Sequence, residues 1–278
     1  MITDWETNKV YYSFQSTYDF KPELKRLRTI LTDNGYNYSH IAGTKDYYCR
    51  DYMPIQLTKN EFVQFKFQPD YLLKTPDKIQ YVTNVNSVIK KNRFLDQKQI
   101  RTSEIILDGG NIIKGKHCAI ITDKVVVDNN LSREEIKSKL EKLLKVNVII
   151  ISRYPGEETG HADGILRFIN ENTVLTVNLE NGNRDWKNRI IEELENADLK
   201  IVSLPIAKSP DTDWRYINYL QVGKTVVVPS FNNESDKIIL PFLNELFGKN
   251  GIKMETLKAT NIAENGGVLN CFTWNILE

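Results

Sequence analysis

Five stretches of the chain carry apolar residues at the three-to-four-residue spacing of an amphipathic helix. They are KPELKRLRTILTDNG from Lys21, TNVNSVIKKNRFL from Thr83, LSREEIKSKLEKLL from Leu131, RDWKNRIIEELENA from Arg184 and SDKIILPFLNELFG from Ser235. Pro22 suits a first turn, Gly35 a stop, and Ser132 with Glu135 has capping-box spacing. Pro241 is costly inside a helix, so the fifth stretch is best accommodated if its helix starts late and holds the proline in the first turn. Short β-branched runs lie between the helices. FVQFKF alternates, with Val63, Phe65 and Phe67 expected on one side. EIILD, CAIIT, KVVVD, VNVIII, ILRFI, TVLTV, LKIVSL and TVVVP read as further strands bounded by turn residues.

The order strand, strand, helix, strand repeats, and helix starts recur every fifty-odd residues without clear internal identity. Such a period is the signature of a closed repeat architecture. After each helix and its following strand comes a polar or reactive residue: Asp51, Asp108, His161, Asn218 and Cys271, at intervals of 57, 53, 57 and 53. If the units close into a ring, these five positions converge on its axis.

Composition narrows the function. The 278 residues allow one large domain or two small ones, and 41% apolar with 26% charged residues is ordinary for a globular chain. A net charge of +1, with no basic stripe, implies neither nucleic acid nor an acidic membrane as partner. Cys49, Cys118 and Cys271 are odd in number and far apart, which speaks against a disulfide framework and for a reducing, cytoplasmic compartment. The opening MITDWETNKVYYS has no basic region leading into an apolar core, so a secretory leader is not expected, and no run is long enough to span a bilayer.

Taken singly, the candidate residues are ambiguous. A lone cysteine is most often a small buried hydrophobe. Gly266-Gly267 ahead of Cys271 changes that, because glycines give clearance to backbone or ligand. In GHADG, His161 and Asp163 share a face if the segment is extended. An isolated H-x-D is mostly a polar turn, and a metal site on this pair is a minority reading. Arg50-Asp51 is often a local ion pair, and Asp108-Gly109-Gly110 often a turn. Together they supply a thiol, an imidazole and three carboxylates. A cysteine nucleophile needs its thiolate and a nearby acid/base. Asp51 and Asp163 make sense opposite a planar cation, since a guanidinium matches carboxylates in two-pronged hydrogen bonds and its charge favours the thiolate.

The stretches DWET, YYCRDYMPI, LDGGNII, GHADGILRF, YINYLQVGKTVVVPSF and NGGVLNCFT, in this order from residue 4 to residue 273, resemble the guanidino-group-modifying (pentein) superfamily. The resemblance is to the branch of agmatine deiminase and bacterial peptidyl-arginine deiminase. It implies a five-bladed α/β-propeller of pseudo-fivefold ββαβ repeats, with residues 1–278 forming one catalytic domain. It also implies roles: Cys271 attacks the guanidinium carbon, Asp51 and Asp163 grip its nitrogens, His161 serves as acid and then base, and Asp108 orients His161. Asn218, Arg167 and Trp5 are candidates for the pocket, with a structural use open for Arg167 and packing for Trp5 and Trp274.

Three departures bear on the substrate. Asp108 stands where agmatine deiminases commonly carry glutamate, Met53 where glycine is usual, and Asn270 where they tend to have histidine. The chain is also shorter than a typical agmatine deiminase. The expected partner is a small cationic guanidino substrate, agmatine-like or arginine-like; no cofactor is implied, and a homodimer is compatible with the resemblance. Hydrolysis through a covalent thiouronium is the leading expectation. Amidino transfer by the same residues and a non-catalytic binding module are the alternatives, with a metal hydrolase a distant fourth.

Overall fold

The computed structural model describes residues 1–180, 183–208 and 213–278. Fifteen strands among them form five three-stranded sheets. β1 (Lys9–Ser13) runs through helix α1 (Lys21–Asp33) to β2 (Asn37–Ile41), which it pairs in parallel. The next sheet holds β3 (Ile55–Gln56), β4 (Glu61–Lys66), α2 (Val85–Lys91) and β5 (Gln99–Ile106). It is followed by β6 (Ile113–Lys114), β7 (Cys118–Thr122), α3 (Arg133–Leu144) and β8 (Asn147–Ile151). Then come β9 (Leu166–Asn170), β10 (Thr173–Thr176), α4 (Arg184–Glu195) and β11 (Lys200–Ser203). The last complete unit is β12 (Leu220–Val222), β13 (Thr225–Ser230), α5 (Asp236–Lys249) and β14 (Lys253–Lys258). Finally β15 (Thr273–Ile276) returns antiparallel to β1, Tyr11 opposite Trp274, and completes the first sheet.

Every sheet repeats one pairing: an antiparallel pair, which is a hairpin in four sheets and β15 with β1 in the first, then a helical crossover to a parallel third strand. The hairpin needs only a short turn, whereas the parallel step needs a crossover. The result is the five-bladed α/β-propeller.

The apolar cores lie between the blades, because the middle strands are covered on both faces. Side chains alternate across a strand, so each middle strand serves two interfaces. Val10 and Tyr12 of β1 enter one cluster with Leu220 and Val227, while Tyr11 enters another with Phe62. Ala119 and Ile121 of β7 pack with Val63 and Phe65, while Ile120 joins Leu166 and Val174. Phe67 does not follow Val63 and Phe65. The register of β4 against β5 shifts between Gln64 and Lys66, and beyond that irregularity Phe67 packs with Tyr52 in the neighbouring cluster.

Helix signals were legible in α3, where Ser132 and Glu135 form the full capping box. Pro241, by contrast, lies inside α5, which begins at Asp236. The helix persists around it because Ile239, Leu243 and Phe247 are fully buried on one stripe. Each such side chain contributes about 1.5–3 kcal/mol, which together exceed the roughly 3 kcal/mol cost of an interior proline. KVVVD is also not a strand: Lys124–Asn129 is helical. Lys124 reaches Asp128 one turn on at 2.7 Å, and Asn129 closes the turn by donating to the carbonyls of Val125 and Ile106. These side-chain contacts override the β-branched run.

Candidate active site

In each unit the chain leaves its third strand and makes a short helical turn before the next strand. The five turns are Cys49–Tyr52, Gly109–Asn111, Ala162–Gly164, Trp214–Ile217 and Leu269–Phe272. Asp51 and Cys271 sit within their turns; Asp108 and His161 immediately precede theirs and Asn218 follows its own. The near-constant sequence interval thus places one such residue in, or directly beside, the corresponding turn of each of the five blades.

A cavity of about 800 Å³ opens over these turns, and Asp51, His161, Asp163, Asn218 and Cys271 line it. Asp108 lies behind His161, its Oδ2 3.0 Å from Nε2 of the ring. The other ring nitrogen, Nδ1, faces Asp51 at 3.7 Å. Asp163 Oδ2 is 3.3 Å from Cys271 Sγ and accepts a 2.7 Å hydrogen bond from Asn270 Nδ2. Asn218 holds the cysteine turn from two sides. Its Oδ1 accepts from the backbone N–H groups of Val268 and Cys271, and its Nδ2 is 3.2 Å from Sγ.

Burial and crowding of carboxylates set the charges. Burial pushes the Asp51 carboxyl up to about 7; the His161 charge opposes the rise, and Asp108 and Asp163 add to it. Burial alone would lower His161, but Asp51 and the Asp108 hydrogen bond outweigh it and raise the imidazole to about 10. The Cys271 thiol is pushed well above its ordinary range by burial, then by Asp163 and Asp51, with the Asn218 donor pulling the other way. Burial and its neighbours therefore hold the thiol neutral, beside an imidazole held protonated.

Two glycines make room for this packing. A Cβ on Gly110 would lie 2.6 Å from Asp51 Oδ1 and 2.9 Å from His161 Nδ1, and the Gly110 N–H donates to the same Oδ1 at 2.9 Å. A Cβ on Gly267 would meet the Tyr48 ring at 2.6 Å and Cys271 Cβ at 3.0 Å. The clearance expected ahead of Cys271 is therefore needed at Gly267, while Gly266 serves a left-handed turn at φ +99°.

Arg167 and Trp5 do not line the cavity. Arg167 pairs with buried Asp4 at 2.7 Å, donates to the carbonyl of Tyr219 and lies over its ring. Trp5 meets Phe168 edge to face. Trp274 packs with Tyr11 and Phe62 and donates to the Pro54 carbonyl. All three belong to the packing around the axis. The strand that follows each turn contributes a buried polar side chain there: Gln56, Lys114, Arg167, Gln221 and Asn275. Asp4 is the carboxylate of that group, 2.7 Å from Lys114 and 3.9 Å from Arg50. Arg50 joins this group to the site, since it also donates to the Asn270 carbonyl.

Tyr71 was not singled out by the sequence. It lies between β4 and α2, off the axial series, yet its hydroxyl donates to Asp51 Oδ2 at 3.2 Å. Its only sequence mark is the Pro69-Asp70 step that starts a short turn after a strand.

Residues 15–276 match the family described as Porphyromonas-type peptidyl-arginine deiminase. The chain belongs to this family. Among its relatives, an agmatine deiminase from Ectopseudomonas mendocina is 24% identical over 216 residues, covering 63% of this chain and 58% of that protein. The chain thus spans less than two thirds of the length of that relative. The solved agmatine deiminase of C. jejuni has the same fold, with a TM-score of 0.77 and 18% identity over 100% of this chain and 95% of that one. An amidinotransferase of saxitoxin biosynthesis from Microseira wollei is also similar, with a TM-score of 0.64 and 11% identity over 99% and 96% of the two chains. The propeller is therefore common to proteins named for two reactions, and the chemistry of this deiminase-family member has to be argued from its side chains. Among the described residues no helix is long and apolar enough to cross a membrane.

Proposed function

We infer that this chain hydrolyses a guanidino compound to a ureido product and ammonia through a covalent adduct on Cys271. The observation that carries this reading is the convergence of one thiol, one carboxylate-backed imidazole and two further carboxylates on a single cavity. Asp51 and Asp163 offer paired acceptors to a planar cation. A bound guanidinium brings positive charge to Cys271, whose thiol is otherwise held neutral by burial and by those carboxylates. With substrate in place the thiol gives its proton to solvent water and the thiolate forms.

The sulfur then bonds to the central carbon. His161, already protonated, gives its proton to the departing nitrogen, and ammonia leaves as the carbon–nitrogen bond breaks. The neutral imidazole next takes a proton from water, whose oxygen adds to the thiouronium carbon. Collapse breaks the carbon–sulfur bond, and the added hydroxyl passes its proton to the departing sulfur, which restores the thiol and leaves the ureido product. Asp108 holds the ring and balances its charge throughout. Because the contributions span residues 51 to 271, the proposal takes residues 1–278 as one catalytic unit.

The cavity wall favours a substrate with a second positive charge. Asp46, Glu157, Glu158, Asp213 and Glu264 line it, against Lys45 and Lys78, and Lys78 is paired with Glu158 at 3.4 Å. An agmatine-like dication suits that balance better than a molecule with an α-carboxylate. The test is ureido product formation from agmatine, arginine and an arginyl peptide. Agmatine is expected to react best, and Cys271→Ala to abolish product. Full activity in Cys271→Ala would sink the mechanism, and a preference for arginine would sink the substrate reading.

A further inference from the structure

We propose that Tyr71 is a positioning residue, whose hydroxyl fixes the orientation of the Asp51 carboxylate for the incoming guanidinium. This rests on the deiminase reading given above. Asp51 accepts one hydrogen bond on each oxygen: Oδ1 from the Gly110 backbone N–H at 2.9 Å, and Oδ2 from the Tyr71 hydroxyl at 3.2 Å. An ionised carboxylate has about four acceptor sites, so two donors define its plane and leave the remaining lone pairs for a ligand. With Gly110 alone, the terminal torsion of Asp51 is free to swing, because such sp³–sp² torsions are broad.

Tyr71 is itself held rigidly enough to do this. Its ring stands edge-on to His161, with centroids 5.8 Å apart and planes at 84°. Burial and the neighbouring carboxylates keep the phenol protonated, so it remains a donor. The preceding residue, Asp70, is tied to Lys124 Nζ at 3.0 Å, and Lys124 takes Asp128 as its second partner at 2.7 Å. The Lys124 side chain is buried and its Cδ also lies 3.0 Å from where a Cβ would stand on Gly160. One lysine therefore braces the turn that presents Tyr71 and passes close to Gly160, just ahead of His161. The misread helix at Lys124–Asn129 gains a purpose from this, since it supplies the lysine.

The charged and titratable groups around Asp51 are His161, Asp108, Asp163, Asp46, Cys271 and Tyr71. Among them Tyr71 donates a hydrogen bond to the carboxylate without carrying charge. Tyr71→Phe removes that donor and keeps the ring. A hydrogen bond to a charged group is worth enough to change an affinity by about tenfold to a hundredfold. The expected result is a KM for agmatine raised by that factor, with kcat nearly unchanged, because bound guanidinium pins Asp51 once it is in place. The acid limb of kcat/KM should move to higher pH, since losing a donor disfavours the carboxylate. Asp70→Asn should act in the same direction more weakly, and the double variant should be no worse than Tyr71→Phe alone.

A second readout needs no turnover: titration of the His161 ring nitrogens by NMR, in the unmodified protein and in Tyr71→Phe. A transition displaced upward in the variant supports the proposal. Unchanged KM, acid limb and His161 titration overturn it, as does an equal loss in kcat and kcat/KM with KM untouched. If the unmodified protein makes no ureido product from any guanidine, the deiminase reading fails, and the NMR comparison alone then decides whether Tyr71 controls Asp51.

Discussion

Gly110→Ala would place a methyl carbon 2.6 Å from Asp51 Oδ1, 2.9 Å from His161 Nδ1 and 3.3 Å from Asp163 Oδ2. None of these atoms can retreat freely. Asp51 is tethered by Tyr71, His161 by Asp108 and Asp163 by Asn270. The glycine backbone cannot back away either, because a Cβ on Gly109 would already be 2.1 Å from the Arg50 carbonyl oxygen. Overpacking of this kind costs about 1–3 kcal/mol, and the strain is relieved most easily by swinging the Asp51 carboxylate off the Gly110 N–H. A displacement of about 1 Å at a substrate-positioning group lowers catalysis by about a hundredfold. The measurement is kcat/KM for ureido product formation, with Tm from thermal unfolding alongside. Gly110→Ala should lose activity by that factor while remaining folded at assay temperature. Gly248→Ala is the comparator: it is exposed in α5 with nothing within 4 Å, so it should gain about 0.5–1 kcal/mol of stability and keep full activity. Wild-type kcat/KM in Gly110→Ala would refute the assignment of Asp51 and His161 to the reacting centre.

Two further outcomes follow from the buried charges. Asp4→Asn leaves Lys114, Arg167 and Arg50 without their shared carboxylate, so unfolding by denaturant should show a loss of about 3–5 kcal/mol, whereas the site geometry predicts no direct role in the reaction. His161 is raised in the folded state from 6.5 to about 10, so its contribution to stability is complete below about pH 6.5 and is lost as pH rises through 10. Wild-type stability should therefore fall across that window more steeply than that of His161→Asn, and parallel curves would remove the imidazolium from the folded site.

The repeat order and the axial series were legible because both are written in local spacing: a helix period, a strand period and a recurring interval between polar residues. Asp51, Asp108, His161, Asn218 and Cys271 could be found together for that reason. Arg167, Trp5 and Trp274 could not be sorted from pocket residues, because their partners, Asp4, Phe168 and Tyr11, are remote in sequence and are fixed only when the ring closes. Tyr71 escaped because it belongs to a connection inside one blade and so has no counterpart in the series. KVVVD misled because three consecutive valines carry strand propensity, while the forces that coil them come from Asp128 and from Asn129 reaching Ile106. Phe67 was misplaced because β4 ends at Lys66, just past a register irregularity, and no alternation pattern reveals where a strand stops.

The five helical turns at the axis divide the labour of the site in an unusual way. Each blade delivers its residues to one station, two of them in the third blade, and a short helical turn forms the station whatever work the residue does. The fourth station shows this, since Asn218 occupies it as a clamp on the cysteine turn rather than as a reacting group. A catalytic centre built this way behaves like a short word in which each letter is set separately. New chemistry on such a scaffold needs a change of letter at a station, with the spelling order, the typeface and the page left as they are.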